Sequence, residues 1–534
     1  MKKKKSNVLF AFCLTLPVII FFICYWFNHP PNLIPTGFIQ YDNPGYISYG
    51  RQYLDTDKFH LFYNNPFNDS DSYSRIYFQT QSLLIALLLK IGINAAYILT
   101  IFAIVFSFLC FLLVIKIYDL IFPENRFRWL LILFFCWGGG LLFLANIPLQ
   151  WIYPSIASLV DNKPIILDPG SGWWGLNFGR SLFFSCEAYY HFLFLVTIFF
   201  VLKKKWPSAL IALLLLSASH PFTGLELLLI LSVWMLLEKI VFKSKFIPGY
   251  FFALTLLLLC CHILYYLYYL NLFPDHHSVS VQYSLNWRIR FYNIIPAYCI
   301  VGLFAVITIR KLKWQKVIAQ DYNRLFLLWF IVAFALANHE VFIKPMQPIH
   351  FTRGYVWMPL FLLGVRAIYL FLLWISKQRW ALAGICLFAF IFLSDNLVWI
   401  YENSKKAVRK SIRFVGTEEN QILDLLSKKT NNATLIIGYS DEQEAILPYL
   451  ATTSTKAWSW ISHPFTTPFF EIKMRAYTDF ISTGKIDSAW IKRPCIFIFR
   501  KSDSLEMNRS GNLNFKADIL TETRSYKVMY GEPR

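Results

Sequence analysis

The sequence predicts an α-helical polytopic membrane protein of about eleven transmembrane helices followed by a small soluble α/β domain at its C-terminal end. Three observations carry this. The 534 residues are 57% hydrophobic and only 15% charged, with a mean hydropathy of +0.46, more apolar than a chain dissolved in water. Apolar runs of about 20 residues, the length a helix needs to cross about 30 Å of hydrocarbon, recur along most of the sequence. After residue 400 the character changes to charged and mixed.

Taken in order, Lys2 to Lys5 head an apolar run to Phe27 that lacks a small-residue cleavage site, so it reads as an uncleaved first span with a cytoplasmic N-terminus. Residues 28–93 are polar and aromatic and form an outer-face loop. Within it, Phe78 to Gly92 is apolar but short and carries Lys90. Counting it as a span would place Lys203, Lys204 and Lys205 and every later basic cluster outside, so it reads as an interfacial helix. Spans near 94–118, 128–149 and 181–202 follow. Between Trp206 and Phe242 the apolar sequence is interrupted at His220-Pro221-Phe222-Thr223-Gly224, with basic clusters at both ends. Pro207 to Ser219 covers about 20 Å at 1.5 Å per residue, too little to cross. The break is therefore expected at membrane depth, where unpaired backbone is tolerated only inside protein or beside a water-filled cavity.

Later spans near 248–273, 291–309, 323–343, 354–376 and 380–400 complete a membrane domain over residues 1–400. They leave 401–534 on the outer side. There Thr417 to Ser427 has a helical pattern, and Thr434 to Ile437 and Cys495 to Phe499 read as strands, which together make an extracytoplasmic α/β domain. The net charge of +20 sits in short clusters between apolar runs, which fits membrane topology and not a nucleic-acid surface. All 10 cysteines but Cys495 lie in apolar segments, so neither a disulfide framework nor a cysteine metal site is expected.

Chemistry-bearing residues gather first in the loop Gln40-Tyr41-Asp42-Asn43-Pro44-Gly45-Tyr46-Ile47-Ser48-Tyr49-Gly50-Arg51-Gln52-Tyr53. If this is helical, Asp42, Tyr46 and Tyr49 or Tyr53 share a face. Asn64-Asn65-Pro66-Phe67 and Tyr73-Ser74-Arg75 follow. The same residues also suit a solvated loop with an interfacial aromatic belt. An acid soon after the first span, with Tyr46 and Arg51 in a D-x-x-x-Y-x-x-x-x-R arrangement, an apolar interfacial helix and an exported C-terminal domain resembles the GT-C superfamily of membrane glycosyltransferases. The long signatures of the oligosaccharyl, protein O-mannosyl and aminoarabinose transferases are not matched.

The resemblance implies transfer of a sugar from a polyprenyl-phosphate donor, with Asp42 as the base that takes the proton of an acceptor hydroxyl. The departing lipid phosphate needs cations. The loop containing His339, Glu340, Lys344, His350 and Arg353 offers them: Arg353 can grip a phosphate bidentately with His350 and Lys344 beside it, or it can be a snorkelling arginine at a helix end. Arg51 is a further donor-phosphate candidate, and Tyr46, Arg75, His220 and Glu226 are substrate-binding candidates. Glu187 and His191 stand one helical turn apart, as a packing pair or a functional one.

Asp55 with Asp57 and Asp69 with Asp71 match the D-x-D pattern of divalent-ion sites, yet alternating acids are common in polar loops. No cofactor is assigned on this basis, and a divalent metal stays open. Asp275-His276-His277 reads as a surface loop, and Asp168 to Gly175 as a glycine-rich turn without the surroundings of a phosphate loop. The aromatic stretch Trp458 to Pro468, with Arg475, reads as acceptor-binding or as core. The expected activity is hexosyl transfer onto a glycan, lipid or protein acceptor at the outer face of a bacterial inner or plasma membrane, with no nucleic-acid partner. Transport or flipping of a lipid-linked saccharide, or a non-catalytic role in envelope assembly, are the alternatives.

Overall fold

Long runs without charge fold here as helices whose lengths follow the runs, because a backbone removed from water must meet its own hydrogen-bonding groups. A computed structural model describes residues 2–54, 59–68, 75–123, 125–152, 177–282, 291–405, 411–431, 434–438, 447–455, 457–462, 465–486, 493–501 and 516–532. The two D-x-D pairs, the turn at 168–175 and His463-Pro464 lie outside the described residues.

The first part of the chain runs α1 (Lys2–Phe27), β1 (Leu33–Pro35), α2 (Asn43–Gln52), α3 (Thr80–Lys90), α4 (Ala95–Ile121), α5 (Arg128–Trp137) and α6 (Leu142–Ile152). Next come α7 (Ser185–Leu202), α8 (Trp206–Ser217), α9 (Pro221–Ile240), α10 (Gly249–Ile263), α11 (Pro274–Gln282), α12 (Phe291–Leu312), α13 (Asp321–Ala337), α14 (Trp357–Ile375) and α15 (Ala381–Asn403). The tail adds β2 (Phe414–Gly416), α16 (Thr417–Lys429), β3 (Leu435–Gly438), α17 (Leu447–Ser454), β4 (Trp458–Ser459), α18 (Phe470–Thr483), β5 (Cys495–Arg500), β6 (Lys516–Glu522) and β7 (Tyr526–Glu532).

Among the described residues, eight helices are long and apolar enough to cross a membrane: Lys5–Phe27, Ala95–Ile121, Ser185–Leu202, Pro221–Ile240, Gly249–Leu272, Ile294–Leu312, Trp357–Ile375 and Ala381–Asn403. The chain thus carries the helix set of a multi-pass membrane architecture, with fewer full-length candidate spans among the described residues than the expected eleven. The shortfall has local causes. Helix α8 has 12 residues, α13 has 17, and the expected span at 128–149 is interrupted. Helix α3, with 11 residues, rises about 16 Å and is likewise short of a crossing.

The interruption falls at Gly138-Gly139-Gly140, between α5 and α6. A side chain on Gly140 would come within 2.3 Å of the Ala297 carbonyl oxygen, and one on Gly139 within 2.7 Å of Asp395 Cβ, so only glycine lets these backbones approach. Freed backbone groups are met from α12 and α15. Gly139 N–H donates to Phe392 O at 2.8 Å and Leu141 N–H to Pro296 O at 2.7 Å. The Asp395 carboxylate accepts from Leu142 N (3.2 Å) and Phe143 N (2.8 Å) at the start of α6, where a helix N-terminus favours an anion. Asn396 Nδ2 donates to Trp137 O at 2.8 Å.

Contacts divide the chain into two units. The first comprises Met1–Phe22, Phe102–Tyr265 and Ser284–Lys405, and the second Ile23–Ile101, Tyr266–Tyr283 and Lys406–Arg534. Residues after 405 therefore share a unit with the loop that follows the first span. In that second unit β1 pairs antiparallel with β2 (Leu33 opposite Gly416). A five-stranded sheet has the order β4-β3-β5-β7-β6. Strand β3 is parallel to β4 and β5, while β7 is antiparallel to β5 and β6. Successive strand residues bury into opposite layers: Leu435, Ile437, Phe497 and Phe499 join Trp460 and Phe480, whereas Ile436, Ile496 and Ile498 join Ile422 and Leu426. A sheet covered on both faces explains the unbroken apolar runs of β3 and β5.

Candidate functional site

In the membrane unit the polar residues collect around the break between α8 and α9. Pro221 cannot continue a helix inward from α8 but suits the first position of α9, and His220 becomes its N-cap. His220 Nδ1 accepts from Thr223 N at 3.2 Å and lies 3.0 Å from Thr223 Oγ1. His262 of α10 closes the break from the side, with Nε2 2.9 Å from Pro221 O and Nδ1 2.8 Å from Ser217 Oγ. Gly224 lets α9 approach Ser217, whose Cα would lie 2.8 Å from an added Cβ.

Around His220 the rings of Tyr190 (4.5 Å between centroids, stacked) and His350 (5.8 Å) gather, and Phe222 stacks on His350 at 4.4 Å. His350 Nε2 is 2.5 Å from Gln347 Oε1 and 3.5 Å from an Arg353 guanidinium nitrogen. Arg353 is 3% exposed, and its guanidinium forms an ion pair with Glu187. One turn on, His191 Nε2 lies 2.6 Å from Arg353 O and its ring stacks on Tyr355 at 4.7 Å. Glu187 and His191 thus both engage Arg353. Lys344 is exposed.

Glu226 stands on α9, fully buried, and neither carboxyl oxygen has a hydrogen-bond partner among the described residues. The structure therefore brings His220, Glu226, His350 and Arg353 into one unit. Because Glu187 already neutralises Arg353, an incoming phosphate would have to compete with that carboxylate.

The other candidates lie in the second unit. Asp42 is exposed at the N-cap of α2 and makes no capping side-chain bond; Asn43 Oδ1 ties the helix start to the preceding turn, accepting from Ile39 N (3.0 Å) and Gln40 N (3.1 Å). With 100° per residue, Tyr46 and Tyr49 share the side of α2 on which Asp42 stands. Tyr449 of α17 completes the aromatic surround: its ring is 5.6 Å from Tyr41 and its hydroxyl accepts from Gly45 N at 3.0 Å. Burial, and then the charge of Asp42, push the Tyr449 phenol well above its usual range, so it stays a hydroxyl at any working pH.

Arg51 is nine residues beyond Asp42, about 13 Å along the helix axis and half a turn round it. It therefore faces away from Asp42. Its Nε donates to Thr453 O, and it lines a cavity of about 390 Å³ with Gln52, Asn94, Thr452, Ser454 and Thr455. Arg75 Nη1 donates to Gln52 O at 3.1 Å, bracing the end of α2. Asp275 accepts from Asn68, and His276 lies 3.0 Å from the Tyr77 hydroxyl. Among the described residues no group of three or more His, Cys, Asp or Glu side chains is placed to hold a metal.

No protein-family model matches the chain, and no curated protein matches it either. The site must be read from its own residues. Sequence reasoning passed over Asp395 and Tyr449. An acid inside an apolar span is a signal for the first; nothing local marks Tyr449, whose role depends on which helix packs against α2.

Proposed function

We propose that the chain is a membrane glycosyltransferase of the GT-C kind, moving a sugar from a polyprenyl-phosphate donor to an acceptor hydroxyl at the outer face of the membrane. The observation that carries the reading is the setting of Asp42: a carboxylate on an exposed turn after the first span, edged by Tyr41, Tyr46, Tyr49 and Tyr449. Such a carboxylate can take the acceptor proton while the oxygen attacks the anomeric carbon and the bond to the lipid phosphate breaks. Aromatic rings around it suit the C–H faces of a sugar. Considered by themselves in the membrane unit, Arg353 and His350 are a separate phosphate-binding candidate, in which Glu187 would yield part of its hold on Arg353 to an arriving anion.

A lipid-linked-saccharide flippase is the second reading, favoured by the buried Glu226 beside the helix break at His220, since unpartnered acids at membrane depth mark conduits. Purified protein incubated with a labelled polyprenyl-phosphate sugar separates the two. An enzyme releases free polyprenyl phosphate, and Asp42→Asn loses at least a hundredfold in rate while inserting normally. Lipid movement without cleavage, or full turnover by the Asn variant, would overturn the transferase.

A further inference from the structure

The cavity beside Arg51 is built from three stretches of the second unit: the end of α2 (Arg51, Gln52), the foot of α4 (Ile93, Asn94) and the end of α17 (Thr452, Thr455). Its volume of about 390 Å³ is within the range of small-molecule sites. Among the described residues Arg51 is its only charged lining residue, and no carboxylate among them pairs with it. Burial lowers the guanidinium to about 10, so it still carries its charge at neutral pH. A half-buried cation with no counter-charge is costly unless an anion joins it.

A second, independent feature lies in the same wall. Gln52 is 4% exposed, and among the described residues its Oε1 has no hydrogen-bond partner, a buried acceptor in the cavity wall that lacks a donor. Thr452 and Thr455 spend their hydroxyl protons on Tyr449 O and Ala451 O, both at 2.7 Å, and their oxygens are met by Ser48 Oγ at 2.6 Å and Ala457 N at 3.3 Å, so Gln52 is the acceptor in this wall still to be met. The lining thus asks for one anionic group together with a hydroxyl donor. Ile93 and Asn94 precede, and Ala95 opens, the candidate span Ala95–Ile121, and a span's end is the level at which lipid headgroups lie.

We propose that this cavity binds a phosphate ester carried on a hydroxyl-bearing group, as in a glycerol phosphate, with Arg51 holding the phosphate and Gln52 Oε1 accepting from a carrier hydroxyl. The source is either a phospholipid headgroup or a soluble phosphorylated polyol. Because Arg51 faces away from Asp42, the site is separate from the proposed reaction centre and stands whether or not the chain transfers sugar.

The test uses full-length protein delipidated in a neutral detergent. One arm titrates it calorimetrically with glycerol 1-phosphate; the other adds phosphatidylglycerol and follows retained lipid by native mass spectrometry. Saturable binding in the first arm names a soluble ligand, and retention in the second names a headgroup. Arg51→Gln should weaken whichever binding is seen at least tenfold. Asn94→Asp should do the same, since it keeps the oxygen that accepts from Ala96 N but adds a negative charge to the lining. This variant serves if the first fails to fold. Binding in neither arm, or equal binding by wild type and a folded variant, would overturn the proposal.

Discussion

Arg353 shows how far a single residue's role depends on its neighbour. Its guanidinium is buried against Glu187, and removing one member of such a pair leaves the other charged and unmet, at a cost of roughly 3–5 kcal/mol. Glu187→Gln should therefore lower the thermal midpoint of the detergent-solubilised protein sharply, while Glu187→Gln combined with Arg353→Gln should lose less than either single change suggests. Additive losses would mean that the pair is not coupled. His276 provides a pH signature in the second unit. Burial, then the charge of His277, lowers it to about 4 from about 6.5 when unfolded. A depressed histidine stabilises the fold above the unfolded value and loses that contribution as pH falls from about 6.5 towards 4. Hydrogen exchange around residues 274–282 should rise between pH 7 and pH 5, and His276→Gln should flatten that dependence. A wild-type profile unchanged over that range would count against it.

Among the elements, broken helices carry most of the information. The break at His220 was legible because Pro221 and Gly224 are local punctuation in an apolar run. Gly138-Gly139-Gly140 is equally local, but its meaning comes from α12 and α15, whose Pro296, Phe392 and Asp395 meet the freed groups. Gly140→Ala should abolish recovery of folded protein from membranes, since its new Cβ would press on a backbone oxygen at 2.3 Å, whereas Gly302→Ala, with open space around it, should raise stability by about 0.5–1 kcal/mol through better helix propensity. Equal yields and melting points for the two variants would contradict the packing described. The strands β3 and β5 announced themselves as β-branched and aromatic runs. The β6–β7 hairpin did not, because its residues alternate with charges and its pairing is set by β5.

For the chain as a whole, the distribution of lysine and arginine makes a topology prediction of its own. A Lys344→Cys variant should react with an impermeant maleimide on intact cells and a Lys204→Cys variant only after permeabilisation; the reverse pattern would invert the orientation. What the sequence determined alone is the helix set and the character of the tail: hydropathy and run length give eight helices long and apolar enough to cross a membrane, because an apolar run of that length is suited to lipid, and the mixed tail gives an α/β sheet. Tertiary structure alone decided which polar residues meet. Glu187 with Arg353, Tyr449 with Gly45 and Arg51 with the end of α17 are all separated by more than about 150 residues, and no local pattern encodes contacts whose formation depends on distant helices packing together.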